Sequence, residues 1–247
     1  MKEFPVISII TVVFNAVETI EDTIKSVIDQ RYHNIEYIVI DGGSTDGTKE
    51  IVKIYQAKIK YFISEGDRGV YDAMNKGVKI ATGDFVYFLN SGDILLANLE
   101  KIIKFLKSEK SIIYGDSYWI GKHILYYGKT SKWKIIRNNI CHQSIFYPKN
   151  IFNKYSYDLN YKVFADYYLN VSLMADKSYS FIYIPVLICS FDDTVGLSKK
   201  IKDLHFKNDL VKLVKAKYSI ITYAYFIGYK AAYTVIRPVF SKLGIVD

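Results

Sequence analysis

The N-terminal part of the chain alternates short apolar runs with segments in which apolar residues recur at helical spacing. The apolar runs predict strands at 6–14, 35–41, 59–64 and 85–89. The segments between them predict helices at 18–30, 46–56 and 70–81. Because apolar strands that alternate with helices form βαβ units, the pattern predicts an α/β fold with a mainly parallel sheet.

The C-terminal half has a less regular pattern. Residues 111–120 and 123–128 predict two antiparallel strands joined by a tight turn. Residues 164–177 predict a helix, and residues 180–191 predict strands. Pro185 should interrupt these last strands, because proline has no N–H to donate to a neighbouring strand. We therefore expect a smaller antiparallel part beside the parallel sheet.

Composition limits the partners of the protein. The chain has 247 residues, of which 50% are hydrophobic and 23% charged, enough for one large domain with appendages. The net charge is +8, but nine lysines, one arginine and three aspartates lie in residues 199–247, so residues 1–198 are almost neutral. A nucleic-acid-binding protein more often carries its positive charge across the folded body, so we expect no nucleic-acid partner. The two cysteines form no CxxC pair, which favours a reducing compartment, the cytoplasm.

The C-terminal tail, residues 199–247, has a basic helical pattern around an uncharged aromatic run at 218–229. The run is too short for a bilayer span, which needs about 20 apolar residues. Basic amphipathic helices with aromatic side chains are typical of membrane interfaces, and their charge favours anionic lipid. We therefore expect a peripheral protein at the inner face of the cell membrane. The alternative is that the tail packs on the catalytic domain or on the second subunit of a homodimer.

Two acidic residues lie at the ends of predicted strands. Asp41 ends the second strand and begins the glycine-rich sequence DGGSTDGT, in which Asp46 should cap the next helix. Asp93 closes the polar turn NSGD after the fourth strand. Ligands of open α/β sheets bind at the carboxyl ends of strands, and Gly42 lets a ring or ribose approach the backbone. The pattern predicts a nucleoside at Asp41 and a hard cation with a diphosphate at Asp93.

The segment SEGDRGVYDAMNKG, residues 64–77, concentrates charged and amide side chains near the third strand. A solvated helix face would explain the charges alone. It explains less well why Asn75, Lys76 and Gly77 interrupt the helix, since glycine costs about 1 kcal/mol relative to alanine there. We therefore expect a functional role for this segment, including Asp67.

Several ordered segments resemble the inverting GT-A glycosyltransferases of family 2. They are PVISIITVVFN, IEYIVIDGGSTDGT, SEGDRGVYDAMNKG, ATGDFVYFLNSGD, HQSIFY and FADYYL. The nearest likeness is to the bacterial transferases of colanic-acid and exopolysaccharide biosynthesis. The resemblance implies the GT-A fold, a Rossmann-like nucleotide-diphospho-sugar transferase fold. It also implies a hexose-type donor, usually UDP-linked, a Mg²⁺ or Mn²⁺ ion, and a glycan or lipid-linked acceptor in cell-surface polysaccharide biosynthesis.

The resemblance also implies a role for each residue that matches a family motif. The donor site would contain Thr11, Asn15, Asp41, Gly42, Asp67, Asn75, Lys76, Asn90 and Ser91. The metal would bind Asp93. Because Asn90 and Gly92 stand where many relatives have aspartate, the metal should bind weakly without donor.

On the acceptor side, His142 and Gln143 match a segment near the acceptor or the diphosphate. Asp166 matches the general base that takes the proton of the acceptor hydroxyl, although an aspartate there is also an ordinary helix cap. Tyr71 is a candidate for stacking on a sugar ring, but core packing is its ordinary role.

We expect a catalytic domain over 1–198, with a nucleotide-binding half at 1–97 and an acceptor-binding half at 98–198, followed by the tail. Two other functions remain open. One is a catalytically degenerate, membrane-docked scaffold that binds no donor. The other is a sugar nucleotidyltransferase, although its triphosphate would need a basic loop after the first strand, where the chain has no lysine or arginine.

Overall fold

One nine-stranded mixed sheet organises the part of the chain described by the computed structural model, residues 4–126, 128–194 and 201–242. The strands are β1 (Ile7–Val13), β2 (Ile35–Asp41), β3 (Tyr61–Ser64), β4 (Phe85–Phe88), β5 (Ile94–Leu95), β6 (Ser111–Trp119), β7 (Ile124–Tyr126), β8 (Ile145–Pro148) and β9 (Ser180–Phe191). The helices are α1 (Ile20–Ile28), α2 (Thr48–Ile54), α3 (Val70–Ile80), α4 (Leu99–Ile102), α5 (Lys132–Ile135), α6 (Ala165–Ala175), α7 (Phe206–Lys217) and α8 (Ile220–Lys242). Residues 1–3, 195–200 and 243–247 of the predicted domains and tail, and residue 127 of the predicted strand 123–128, lie outside the described residues.

The strand order separates a parallel half from a mixed half. The order is β3-β2-β1-β4-β8-β6-β9-β5, and β7 pairs with β6. Strands β3, β2, β1 and β4 are parallel, whereas β8 runs antiparallel to both β4 and β6. This confirms the predicted GT-A-type architecture with a smaller antiparallel part, including the predicted hairpin of β6 and β7.

Both faces of β1, β2 and β4 are buried, which explains why their sequences are continuous apolar runs, whereas β3 lies at the edge of the sheet and is partly exposed. In β1, Ile9 and Val13 belong to the core that contains α1, whereas Ile10 belongs to the core that contains α3. Helix α3 continues without interruption through Gly77, where an added Cβ would lie 2.5 Å from Cγ2 of Ile10. Close packing on β1 therefore accounts for this glycine.

Two local predictions are wrong. Helix α2 begins at Thr48, and Gly47 rather than Asp46 occupies the N-cap position. Asp46 lies one residue before the cap, where it accepts hydrogen bonds from the backbone N (3.0 Å) and the hydroxyl (2.6 Å) of Thr48. Strand β9 is also one continuous strand. Pro185 lies opposite a register shift between Tyr114 and Asp116, and this bulge accommodates the missing N–H.

The described part of the tail packs partly on the body formed by the sheet and its helices. In α7, Phe206 stacks on Phe164 with ring centroids 4.7 Å apart, and Leu210 and Val214 are buried in the same core. In α8, among the side chains described, Thr222 and Phe226 are buried. None of the helices in the described ranges has the length and hydropathy that a bilayer span requires.

Candidate active site

The loops after β1, β2, β3 and β4 meet at one edge of the sheet, as the parallel order requires. Backbone hydrogen bonds join them there: Gly42 N donates to Val13 O (2.9 Å), Ser91 N donates to Val12 O (3.1 Å), and Glu65 N donates to the carbonyl that ends β2 (3.0 Å). This edge brings most of the predicted donor residues together.

Asp41 is fully buried at the end of β2. Its carboxylate accepts hydrogen bonds from the backbone of Gly43 (3.1 Å) and Ser44 (3.0 Å), and from the hydroxyls of Ser44 and Ser64 (2.6 Å for Ser64). In this structure the carboxylate therefore fixes the turn after β2.

Asn15 lies on this edge, and Thr11 does not. Asn15 adopts φ = 46°, its backbone N donates to Ser44 Oγ (2.8 Å), and its Oδ1 accepts from Thr45 N (2.9 Å), so it locks the first loop onto the second. Thr11 is fully buried within β1, with its Oγ1 3.1 Å from the hydroxyl of Tyr37.

Asp67 lies directly over Gly42. Oδ1 of Asp67 accepts from Gly69 N (2.8 Å), and an added Cβ at Gly42 would lie 2.6 Å from Oδ2 of Asp67 and 3.4 Å from the ring of Phe14. Phe14 is 63% exposed. The edge therefore has an open aromatic ring beside a carboxylate and a bare backbone turn.

Asn75 and Lys76 support the surrounding segments. Asn75 exchanges two hydrogen bonds with the backbone of Tyr157, donating to its O (2.9 Å) and accepting from its N (3.0 Å). Lys76 Nζ donates to Gly66 O (2.9 Å) and lies 2.8 Å from Oε1 of Glu65. Lys76 thus holds the loop that carries Asp67.

The turn after β4 is built by local constraints. Gly92 has φ = 94°, a conformation that favours glycine, and its N donates to Thr23 Oγ1 (3.0 Å). Oγ of Ser91 lies 3.3 Å from Oγ1 of Thr19. These contacts fix the position of the next residue, Asp93.

Asp93 is 3% exposed and links three segments. Its Oδ2 accepts from Gln143 Nε2 (2.6 Å), and its Oδ1 accepts from Asp192 N (3.0 Å). Burial raises the pKa of Asp93 to about 7, although these two hydrogen bonds act in the opposite direction. Burial therefore disfavours the ionised form of this carboxyl, and a bound cation would favour it.

Asp166, in the first turn of α6, is held by three side chains of distant segments. Its Oδ1 accepts from the hydroxyl of Tyr71 (2.7 Å), and its Oδ2 accepts from Asn139 Nδ2 (2.6 Å) and lies 3.4 Å from Nδ1 of His142. Burial alone would raise the pKa of Asp166, but these partners outweigh it and the pKa is lowered. Asp166 in turn raises the pKa of His142 above its ordinary value, despite the opposing effect of burial.

One short 3-10 turn tethers both carboxylates. Its His142 contacts Asp166, and the next residue, Gln143, holds Asp93. On its other side, Nε2 of His142 lies 3.1 Å from the amide nitrogen of Asn90. Five predicted residues therefore form one cluster.

Two residues of this region, Phe14 and Asn139, were not predicted from the sequence. Phe14 could have been recognised as an aromatic residue that ends a strand at the ligand edge. Tyr71, for which the sequence allows sugar stacking or core packing, is buried in the core, and its hydroxyl donates to Asp166. Asn139 lies in a segment without a distinctive pattern, so nothing in the sequence indicated its contact.

A cavity of about 210 Å³ adjoins this cluster. Its lining combines apolar and charged side chains from the start of α3, the segment before α6 and the tail: Arg68, Gly69, Val70, Tyr71, Asp72, Leu159, Tyr161, Lys162 and Ile201. Tyr71 also donates to Asp166, so one side chain both lines the cavity and contacts that carboxylate.

A metal ion would find few protein ligands here. The described residues contain no group of three or more histidine, cysteine or acidic side chains that could hold one. Among them, Oδ1 of Asn90 is buried without a hydrogen-bond partner, and an amide oxygen is a suitable ligand for a hard cation. This amide oxygen and Asp93 would leave most ligand positions of an ion to a bound diphosphate and water.

Comparison with known proteins agrees with this geometry. The sequence profile described as "Glycosyl transferase family 2" matches residues 8–166. A PGL/p-HBAD biosynthesis glycosyltransferase of Mycobacterium tuberculosis is 31% identical over 211 residues, 82% of each chain. The Escherichia coli UDP-Glc:alpha-D-GlcNAc-diphosphoundecaprenol beta-1,3-glucosyltransferase WfgD is 32% identical over 185 residues, 71% of this chain and 72% of WfgD.

Solved structures share the fold. S. aureus TarS 1–349 in complex with UDP has a TM-score of 0.68 at 17% identity, over 86% of this chain and 65% of that one. The mannosyltransferase PcManGT from Pyrobaculum calidifontis, in complex with GDP-Man and Mn²⁺, has a TM-score of 0.61 at 16% identity, over 98% of this chain and 84% of that one. At these identities the likeness concerns the fold alone.

Proposed function

This chain belongs to glycosyl transferase family 2, and we propose that it moves a hexose-type sugar from a UDP-linked donor to a glycan or lipid-linked acceptor with inversion. The observation that carries the proposal is the pair of carboxylates, Asp93 and Asp166, that one turn holds beside the ligand edge of the sheet. The names of two similar proteins support the choice of partners: TarS was solved with UDP, and WfgD is named for a diphosphoundecaprenol-linked acceptor. The proposal places the reaction in cell-surface polysaccharide biosynthesis.

The donor nucleotide would lie on the loops after β1, β2 and β3. Asn15, Gly42 and Asp67 offer polar contacts and a close backbone approach, and the exposed ring of Phe14 offers a surface on which a base can stack. Asp41 would act by shaping the turn, because its oxygens already accept hydrogen bonds within the protein. Asn75 and Lys76 would position these loops.

The sugar transfer would use Asp166 as the general base. Direct displacement at the anomeric carbon requires a group that accepts the proton of the acceptor hydroxyl. The lowered pKa keeps Asp166 ionised at neutral pH. Oδ1 has one hydrogen-bond partner where Oδ2 has two close neighbours, so we assign the transferred proton to Oδ1. The cavity beside Tyr71 would admit the acceptor.

Mg²⁺ or Mn²⁺ belongs to the same proposal, and the Mn²⁺ in the PcManGT structure supports it. Asp93 and Oδ1 of Asn90 would hold the ion together with the donor diphosphate. When bound, the ion supplies positive charge that stabilises the departing diphosphate. His142, between Asn90 and Asp166, would face the same region and bind the acceptor or the diphosphate.

A donor-free scaffold remains the second candidate, because Asp41 and Asp93 are both buried and hydrogen-bonded within the protein. Calorimetry with UDP and Mn²⁺ separates the two. If the protein is a transferase, it should bind UDP, and one member of a panel of nucleotide-sugars should be hydrolysed slowly without acceptor. Absence of UDP binding together with absence of hydrolysis across the panel would leave the scaffold.

The location and the domain division are part of the proposal. We place the protein in the cytoplasm at the inner face of the cell membrane, with residues 199–247 as the contact with anionic lipid. The catalytic domain would comprise 1–198, and α7 would serve as its link to the membrane contact, since its apolar face is buried in the catalytic core.

A further inference from the structure

Two segments far apart in the sequence share one composition. Residues 117–140 and residues 210–234 each contain four lysines and several aromatic residues, and neither contains an aspartate or glutamate. The first segment covers β7 and α5 and also holds an arginine, whereas the second covers most of α7 and the start of α8. Both segments are therefore strongly basic. For residues 117–140 this contrasts with residues 1–198 as a whole, which are almost neutral.

The fold brings these two segments into contact. The rings of Trp133 and Tyr225 meet edge to face with centroids 5.0 Å apart. The guanidinium of Arg137 lies over two rings of α8, 5.6 Å from that of Tyr225 and 5.0 Å from that of Tyr229. These contacts join α5 to α8 and produce one continuous basic and aromatic surface.

We define the α5–α8 surface by six residues: Lys129, Lys132, Trp133, Ile220, Ile221 and Tyr225. Its apolar part is exposed, because Ile220 is 76% and Ile221 70% accessible. On the other side of α8, Thr222 and Phe226 are buried against the body. The helix thus presents an apolar face outward and is anchored by the opposite face. Exposed apolar residues beside lysines are what an anionic bilayer interface accommodates.

A second copy of the chain fits this surface less well. A two-fold interface covers this patch with a second copy of itself, so its lysines could be paired only by groups of the same patch. Neither segment offers an acidic residue to neutralise them. Anionic lipid supplies that negative charge and also receives the isoleucines. We therefore propose that the α5–α8 surface docks on an anionic bilayer.

The docking surface is directly connected to the proposed base. Four residues after α5, Asn139 donates to Oδ2 of Asp166 (2.6 Å) and accepts from Asn170 Nδ2 (3.0 Å), and the hydroxyl of Tyr126 donates to Asn139 O (2.9 Å). The segment that follows α5 therefore supplies one of the contacts of Asp166, so docking through α5 would turn this side of the site toward the bilayer. This step rests on the proposed function: it presents the acceptor side of the site to a sugar carried on a membrane lipid.

The test uses the full chain in co-sedimentation with phosphatidylcholine vesicles, with and without phosphatidylglycerol. The charge variant is Lys129→Gln with Lys132→Gln, and its matched control is Lys53→Gln with Lys58→Gln, an equal charge loss at exposed lysines around α2. The apolar variant is Ile220→Ser, and its matched control is Ile54→Ser, a residue 74% exposed at the end of α2.

We expect the wild type to bind only the anionic vesicles, and less tightly as salt increases. The charge variant should bind about 25-fold more weakly, since each lysine near a negative surface contributes about fivefold. The apolar variant should also lose affinity, and both controls should bind like the wild type. Equal binding of the charge variant and its control, or no vesicle binding at any salt, would overturn the docking proposal. The proposal would also be overturned if the wild type did not bind vesicles but formed a dimer, and if Ile220→Ser dissociated that dimer.

Donor hydrolysis in solution, measured on the same proteins without vesicles, keeps this proposal apart from the proposed function. We expect the same hydrolysis rate in all variants, because none of the substituted residues touches the active site. Hydrolysis without vesicle binding rejects the docking surface and leaves the transferase intact. Vesicle binding that responds to the variants as expected, with no hydrolysis of any nucleotide-sugar, supports the surface and rejects the transferase.

Discussion

The contacts of Asp166 differ from those of a helix cap. A capping carboxylate accepts hydrogen bonds from the backbone at the start of its own helix. Asp166 instead accepts from Tyr71, 95 residues away, and from Asn139, 27 residues away. Such partners orient a carboxylate without stabilising α6 locally, which favours the base over the cap.

Replacing Asp166 with asparagine should therefore abolish transfer and spare donor binding. The amide keeps the shape of the side chain and cannot accept a proton, so turnover should fall by a factor of about 10²–10⁴. UDP affinity by calorimetry should stay within about twofold. Asp176→Asn, at the other end of α6, is the matched control and should retain turnover, because Asp176 contacts Lys154 and Tyr155. Turnover near wild type in Asp166→Asn would leave this residue without a catalytic role.

The raised pKa of the buried Asp93 carboxyl leads to a second prediction, which concerns how the free energy of unfolding depends on pH. Because its pKa is raised to about 7 in the folded protein, the protonated form stabilises the fold at low pH. That contribution is fully present below the ordinary pKa of about 4 and is lost as pH rises to 7, by about 1.4 kcal/mol per pH unit. Asp93→Asn should remove this loss, provided that Gln143 rotates its amide to accept from the new side chain.

Urea unfolding of both proteins at pH 5 and pH 8 measures this effect. The free energy of unfolding of the variant should change less with pH than that of the wild type. Transfer should nevertheless be lost at every pH, as it should be when EDTA removes the metal from the wild type. If the wild type and the variant had the same pH dependence, the pKa of Asp93 would not be raised in the folded protein. Full activity of the wild type with EDTA present would exclude a role of Asp93 in metal binding.

Gly42 and Gly66 form a matched pair for testing the donor edge. A Cβ at Gly42 would lie 2.6 Å from Oδ2 of Asp67, whereas a Cβ at Gly66 would have nothing within 4 Å. Gly42→Ala should therefore displace Asp67 and weaken UDP binding by about tenfold, the effect of one lost hydrogen bond to a charged group. Gly66→Ala should bind UDP like the wild type. Equal affinities in the two variants would place the nucleotide elsewhere.

At the scale of elements, the alternation of strands and helices was predictable because each apolar run is local, and those of β1, β2 and β4 are buried on both faces. The strands β1, β2 and β4 lie where the apolar runs placed them, within one or two residues. Pro185 shows the limit of local reasoning. A bulge in the pairing with β6 accommodates it, and that pairing depends on residues about 70 positions away.

The candidate site was predictable only in part, for the same reason. The strand-end residues near Asn15 and Asp93 could be placed together, because parallel strands end at one edge of a sheet. The contact between Gln143 and Asp93 spans 50 residues and follows no periodic pattern. The burial of Asp41 could not be predicted either, since a polar residue at a strand end can face the ligand or the turn, and Thr11 lies inside β1 against Tyr37 rather than at its end.

Two helical glycines allow the packing of α3 to be tested. Alanine is a better helix former than glycine by about 1 kcal/mol, so an unconstrained substitution should stabilise. Gly228 in α8 has nothing within 4 Å of an added Cβ, so Gly228→Ala should raise the free energy of unfolding. At Gly77 the added Cβ would lie 2.5 Å from Ile10, so Gly77→Ala should destabilise the protein by about 1–3 kcal/mol.

Denaturant unfolding of the two variants under identical conditions gives the sign of each change. Opposite signs are the expected result, because the same chemical change meets a tightly packed strand in one helix and open space in the other. A Gly77→Ala protein as stable as Gly228→Ala would mean that α3 can move away from β1, and that its glycine needs an explanation other than packing.

At the scale of the whole molecule, the tail has two parts with different roles. The apolar face of α7 belongs to the core through Phe206, Leu210, Leu213 and Val214. Each fully buried side chain contributes about 1.5–3 kcal/mol, so the four together approach the entire stability of a typical domain. The exposed face of α8 contributes nothing comparable to the fold. The tail is therefore a structural helix followed by a helix available for docking.

Two truncations separate these roles. Removal of residues 220–247 retains α7 and the hydrogen bond from the hydroxyl of Tyr218 to Val171 O (2.7 Å), so the protein should fold and hydrolyse donor. It should no longer bind anionic vesicles, because the isoleucines of α8 are gone. Removal of residues 201–247 exposes the core around Phe164 and should give an aggregated or unfolded protein by circular dichroism and gel filtration. If the longer truncation folds normally, α7 does not complete the core. If the protein without residues 220–247 unfolds, α8 is needed for the stability of the fold, as α7 is, and its apolar face is not simply a membrane contact.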